Sequence, residues 1–256
     1  FRRVLFRSMG LSRYQEAVIA YRAAARINPD STTAWFNLGY ALHNARDYEG
    51  AVKAYEKSLD LNPENAQAWR YEVAALHTLG QGEVAARMYD REIKLNPNNT
   101  VALQNKAYAL HQLRRYEEAL QLYTRVTDLE PDNTGALLNK GYENLMVGDY
   151  INAIGTYDEI IAIDPDNTEA YMYKGMALYK MNDYDRSVAV YDQVLAIDPD
   201  NAQAWANKGF AMIKTGHVRD AIKAFDYALE LDPGNIDAKY GRLDAIRIFW
   251  PHYTGT

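Results

Sequence analysis

Four asparagines, Asn37, Asn105, Asn139 and Asn207, stand at multiples of 34 residues from one another. A carboxamide carries both a donor and an acceptor, so a row of them can pair with the amides and carbonyls of an extended peptide whatever its side chains. The two intervening slots hold Tyr71 and Tyr173, with Arg70 beside the first. Three residues further on come Tyr40, Tyr108, Tyr142 and Phe210, a row interrupted by Ala74 and Met176. Tyrosine offers large contact area with few rotatable bonds, as binding hot spots do. Ligand recognition is therefore the chemistry these residues could do. No glycine-rich phosphate loop, nucleophile elbow, zinc-protease motif or kinase set occurs, so neither a catalytic residue nor a cofactor is expected and the chain reads as a non-enzyme.

The elements that position these residues follow from the prolines. Pro29, Pro63, Pro97, Pro131, Pro165, Pro199 and Pro233 are spaced 34 apart without an insertion. With 8 prolines in 256 positions, the chance of that series is about 10⁻⁹, so the interval is a structural repeat. With each proline at position 32, position 24 reads Tyr21, Tyr55, Tyr89, Tyr123, Tyr157, Tyr191 and Phe225. Position 20 reads Ala17, Ala51, Ala85, Ala119, Ala153, Ser187 and Ala221, a small side chain one helical turn before each aromatic. Position 34 is Ser31 or an asparagine in every unit, a residue that caps a helix start. Each unit is predicted to be helix A, about positions 1 to 14, and helix B, about 17 to 30. In the second unit these are Thr32 to Ala45 and Tyr48 to Asp60. Neighbouring helices must be antiparallel, and since one pair cannot bury its own apolar face, the units must stack.

These residues resemble the tetratricopeptide repeat, a pattern of tryptophan, leucine-glycine and tyrosine, then alanine, aromatic and proline. The second unit shows Trp35, Leu38, Gly39, Ala51, Tyr55 and Pro63, with Leu42 in place of the tyrosine. Trp69 and Trp205 keep the tryptophan; Gly141, Gly175 and Gly209 keep the glycine, which becomes Ala107 and, in the third unit, Val73. A small residue there lets two helices approach, so Val73 should push them apart and, with Gly80 and Gly82 beside Gln81, mark that unit as a soft joint. The resemblance implies an all-α fold, a right-handed superhelical α-solenoid of antiparallel helix pairs. Its array would run over 9–235, as units 9–31 (partial), 32–65, 66–99, 100–133, 134–167, 168–201 and 202–235, followed by a capping helix at 236–250 and a tail at 251–256. Residues 1–8 (FRRVLFRS) resemble a translated sequencing adaptor, a non-native leader, in which case the natural protein extends further.

The resemblance also implies that helix A lines a concave groove, with positions 2, 5, 6, 9, 12 and 13 facing inward. The expected peptide-binding set is therefore Asn37, Asn105, Asn139, Asn207, Tyr40, Arg70, Tyr71, Tyr108, Tyr142 and Tyr173. The asparagine row is similar to that of O-linked N-acetylglucosamine transferases. A second reading stays open: the aromatics fill space between adjacent A helices and the asparagines bond to neighbouring turns. The carboxylate clamp that holds heat-shock chaperone tails needs lysine at position 5 and asparagine at position 9, and neither occurs, so such tails are not expected ligands.

His43, His77 and His111 share position 12, but zinc holds nitrogens at about 2.1 Å while equivalent helices stand about 10 Å apart, so no metal site is expected. Lys106, Lys140, Lys174 and Lys208 share position 7, where lysine stems would cover apolar surface with the ammonium in water. A net charge of −6 speaks against a nucleic-acid binder. The acidic residues concentrate in 134–167, with 6 Asp and Glu against 1 Lys, mostly in solvated turns. No apolar run reaches the length of a membrane span, and the absence of cysteine is compatible with a reducing cytoplasm. The expected role is a scaffold that binds an extended peptide or a partner helix. The alternative is the substrate-recruiting arm of a larger enzyme, such as a glycosyltransferase.

Overall fold

The computed structural model describes residues 2–250, and of residues 2–12, Ala66 and Arg91 it describes the backbone alone. The readings of 1–8 as a leader and of 251–256 as a tail thus concern side chains and residues outside the described ones. Among the described residues every regular element is an α-helix, and the chain forms two compact units. The first, residues 1–115, contains α1 (Arg2–Ile27), α2 (Thr32–Asn44), α3 (Tyr48–Leu61), α4 (Ala66–Thr78), α5 (Gly82–Leu95) and α6 (Thr100–Gln112). The second, residues 116–256, contains α7 (Tyr116–Leu129), α8 (Thr134–Val147), α9 (Tyr150–Ile163), α10 (Thr168–Lys180), α11 (Tyr184–Ile197), α12 (Ala202–Lys214), α13 (Val218–Leu231) and α14 (Ile236–Phe249). The helices of the second repeat fall within a residue of their sequence-based bounds, and within the units the consecutive helices α2 and α3, α4 and α5, α8 and α9, α10 and α11, and α12 and α13 pack as A and B pairs.

Each boundary has a local cause. Helix B stops before the proline, and the asparagine two residues later opens the next helix A: Asn133 Oδ1 accepts from the Ala136 amide at 2.9 Å, and Asn65 does the same for Ala68 at 3.1 Å. The tryptophan belongs to the same device. The indole N–H of Trp69 donates to the Pro63 carbonyl at 2.7 Å, and Trp205 serves Pro199 at 3.0 Å, so an acceptor freed by the proline turn is satisfied by the next helix. The turn from A to B passes through a left-handed residue, Gly148 in one repeat and Arg46 in another, with φ of 85° and 67°.

Packing is set where helix A meets helix B. The ring of Tyr157 lies so close to Gly141 that a Cβ there would sit 2.6 Å from its Cε1, and Gly39 stands in the same relation to Tyr55 at 2.5 Å. Both rings are fully buried, with Ala153 and Ala51 on the preceding turn equally buried. Val73 takes the glycine's place against Tyr89, and α4 and α5 pack more sparsely than any other consecutive helices of the first unit. The loosening expected from the sequence is thus present, and Gln81 at the start of α5 makes no side-chain cap.

Two alanine substitutions separate close approach from helix propensity. Gly141→Ala should destabilise the protein by about 2 kcal/mol or more through overpacking against Tyr157. Gly155→Ala on α9, where nothing lies within 4 Å of the added methyl, should stabilise it by about 0.5–1 kcal/mol. Thermal or urea unfolding reads both, and equal effects would remove the role given to the Gly141–Tyr157 contact.

Candidate peptide-binding face

The expected site residues are all on A helices, and each unit treats them in two ways. In the first unit Tyr71 on α4 is built into packing: its ring stacks on Tyr55 at 6.1 Å and meets Tyr40 edge-on at 5.3 Å and Phe36 at 5.9 Å. The second unit repeats the arrangement, with Tyr173 stacked on Tyr157 at 5.8 Å and edge-on to Tyr142 at 5.6 Å. Such pairs add about 0.5–1.5 kcal/mol beyond area burial. Burial, then the neighbouring phenols Tyr71 and Tyr40, pushes the Tyr55 hydroxyl far above the ordinary tyrosine range, and this hydroxyl has no hydrogen-bond partner. Tyr40 nonetheless keeps 39% of its surface open.

The asparagines divide similarly. Asn139 Nδ2 donates to the Gly135 carbonyl of its own helix at 3.0 Å. Asn207 Oδ1 accepts from Gln203 at 3.0 Å, and the Asn207 side chain also bonds to Tyr191, whose phenol burial raises. Both amides already have partners in the chain. Asn37 is half-buried on α2. Asn105 lies in a different setting. With Arg70, Tyr108, His77, Val73 and Gln112 it lines an open hollow of about 490 Å³ against α4 and α6. Tyr108 is 55% exposed there, and Arg70 is exposed as well. The hollow therefore gathers three of the expected binding residues around a cation, an amide and an uncovered aromatic ring.

The histidines belong to this aromatic environment. His43 meets Tyr48 edge-on at 5.2 Å and His77 meets Tyr108 at 6.2 Å, and burial lowers the pKa of both. Among the described residues no three His, Asp or Glu side chains come together as metal ligands.

The lysine stripe is corrected by the structure. Its ammonium groups are not simply in water: Lys106 reaches Asp90, Lys174 reaches Asp158 and Lys208 reaches Asp192, each at 2.5 Å, and Arg242 reaches Asp226 in the same way. At these four junctions position 7 of one repeat is bridged to position 25 of the repeat before it, so Lys106, Lys174, Lys208 and Arg242 staple stacked repeats together. The sequence reading missed the partner acids although the signal was present, an aspartate 16 residues before Lys106, Lys174, Lys208 and Arg242; Lys140 has Thr124 at that distance. Lys208 is 13% exposed and also lies over the Trp205 ring at 5.1 Å, which places it among the better protected of these bridges.

Paired helices that stack in sequence define a helical-repeat protein, a class whose extended faces generally bind other proteins. Sequence profiles of the tetratricopeptide repeat match residues 9–66, 44–100 and 105–168, and further profiles of that description match 145–209, 202–235 and 88–121. The chain belongs to the tetratricopeptide repeat family. Its fold is similar to MamA from Desulfovibrio magneticus RS-1, with 21% identity over 68% of this chain and 98% of that one and a TM-score of 0.61. It is also similar to pilF of Pseudomonas aeruginosa, with 19% identity over 83% and 97% and a TM-score of 0.60. YrrB, described as a TPR protein with an unusual peptide-binding site, matches with 17% identity over 89% and 100% and a TM-score of 0.52. A search of curated protein sequences returned no match. No described helix is long and apolar enough to cross a membrane.

The staple is measurable. Asp192→Asn should lower unfolding stability by about 0.5–1 kcal/mol, the range of a partly exposed bridge. The loss should shrink in high salt. A loss unchanged between low and high salt would show that Asp192 acts by something other than its charge.

Proposed function

We propose that this protein is a non-catalytic scaffold that binds an extended peptide, or a partner helix, along its A-helix face. The residues that make up that face are Asn37, Asn105, Asn139, Asn207, Tyr40, Arg70, Tyr71, Tyr108, Tyr142 and Tyr173. Arg70, Asn105 and Tyr108 are its anchoring group. The observation that supports this most is the hollow of about 490 Å³ with Tyr108 55% exposed beside a guanidinium and a carboxamide. A large ring left uncovered next to groups that recognise a peptide carboxylate, carbonyl and amide is the composition of a binding hot spot. Tyr71 and Tyr173 serve the ligand indirectly, by fixing the spacing of the A helices through their stacks on Tyr55 and Tyr157. Residues 9–235 form the array in this reading, and α14 adds one further A-type helix packed on α12 and α13.

The test is selection of binding peptides from a displayed library on the parent protein, followed by affinity measurement with the triple variant Arg70→Ala, Asn105→Ala, Tyr108→Ala. These positions lie at the surface, so helicity by circular dichroism should stay at the parent level. Affinity should fall by at least about tenfold, the effect of removing one good anchor. Equal binding by the two proteins would remove this face from the account.

A further inference from the structure

A second cavity of about 490 Å³ lies between α3, α4 and α5, and it shares no residue with the hollow at Tyr108. Its walls are apolar, from Leu59, Trp69, Leu76 and Met88, and its polar groups are mainly acidic, Glu56, Asp60 and Glu72. Glu72 is 2% exposed and its Oε2 has no hydrogen-bond partner. The repeat register explains why. Glu72 occupies position 7, which at four other junctions carries the cation of the inter-repeat staple, and Glu56, 16 residues earlier, occupies position 25, which at those junctions carries the aspartate. Here an acid faces an acid. Val73, next in the chain, stands where four other repeats carry glycine, and α4 and α5 pack sparsely at this junction.

We propose that this junction is a binding site for a primary ammonium group carried on an apolar stem, which enters from outside and takes the place of the lysine that position 7 lacks. The acids supply the charge and the walls the contact for the stem. Arg87 also lines the cavity from α5, but it is exposed and its Nε donates to the Glu83 carbonyl at 3.3 Å, so it stands at the rim. A divalent cation fits poorly, since no three acidic side chains among the described residues converge as ligands.

The site is pH-linked. Burial, then Glu56 and Asp60 facing it from α3, pushes the Glu72 carboxyl up to about 8. An entering ammonium therefore displaces a proton at neutral pH, and affinity should rise between about pH 6 and about pH 9, where a primary amine stays charged. The sign for folding is the reverse. The folded chain holds this proton more tightly than the unfolded one, so the contribution is complete below the unfolded value of 4.5 and is lost as pH rises toward 8.

The experiment titrates the full chain with hexylammonium, with hexanol, and with the peptide acetyl-Ala-Leu-Lys-Leu-Ala-amide, following the indole N–H signal of Trp69 by nuclear magnetic resonance. Hexylammonium should bind at least about tenfold more tightly than hexanol, as a desolvated charge pair predicts, and more tightly as pH rises. A peptide tighter than hexylammonium assigns the site to a partner's lysine; the opposite order assigns it to a free amine. Glu72→Gln should abolish the pH dependence and the preference for the ammonium. Glu72→Lys, which restores the cation found in other repeats, should raise the melting temperature and eliminate binding. Since Glu56 is exposed, Glu56→Lys gives a second variant with little risk to folding, and it should also eliminate binding. Hexanol binding as well as hexylammonium, or no Trp69 response to either probe, would overturn the proposal.

Discussion

The contact between an aromatic ring on helix B and a nearly bare backbone on helix A governs how the rest of this molecule is arranged. Where Gly141 meets Tyr157, or Gly39 meets Tyr55, the two helices approach until the ring touches the opposite backbone. The distance so fixed decides what reaches the neighbouring repeat. Tyr173 and Tyr71 stack on those same buried rings, and each in turn takes an edge-on tyrosine from the A helix of the repeat before it. Packing thus passes from one repeat to the next through aromatic rings rather than through a central core.

The same contact, when relaxed, accounts for the irregular part of the first unit. Val73 cannot let Tyr89 in as glycine would, α5 begins without a side-chain cap, and the space released between α3, α4 and α5 becomes a cavity. A buried carboxyl is tolerated in that cavity because burial holds its proton on near neutral pH. Departures from the repeat therefore fall together, a sparsely packed helix pair, a missing cap and a missing cation, and they coincide with the cavity. Where Asp192 meets Lys208, or Asp158 meets Lys174, a cation of the next repeat occupies the equivalent position instead.

Most side chains of each repeat are committed to its own stack. The asparagine at position 34 caps, the tryptophan satisfies a proline carbonyl, and position 7 bridges to position 25. What remains uncommitted is narrow, and it includes Arg70, Asn105 and Tyr108 around their hollow. A change at the committed positions is felt locally as stability; one at the uncommitted positions leaves stability alone and changes what the surface can hold.

The amino-acid sequence by itself determined the helices, their ends and their pairing. These depend on residues within a turn or two of one another, such as Pro63 and Asn65, and a 34-residue period displays each local rule several times over. It also located the loose joint at Val73, because one large residue in a row of small ones is a local fact. Only the tertiary structure decided how equivalent residues divide their duties. Asn139 and Asn105 share a position, yet one bonds to its own helix while the other opens onto a hollow; Lys106 and Glu72 share a position, yet one closes a staple and the other lines a cavity. The physical reason is that a period reports where a side chain starts, whereas its partner belongs to another helix, and that partner is fixed only when the helices are packed at their final distance.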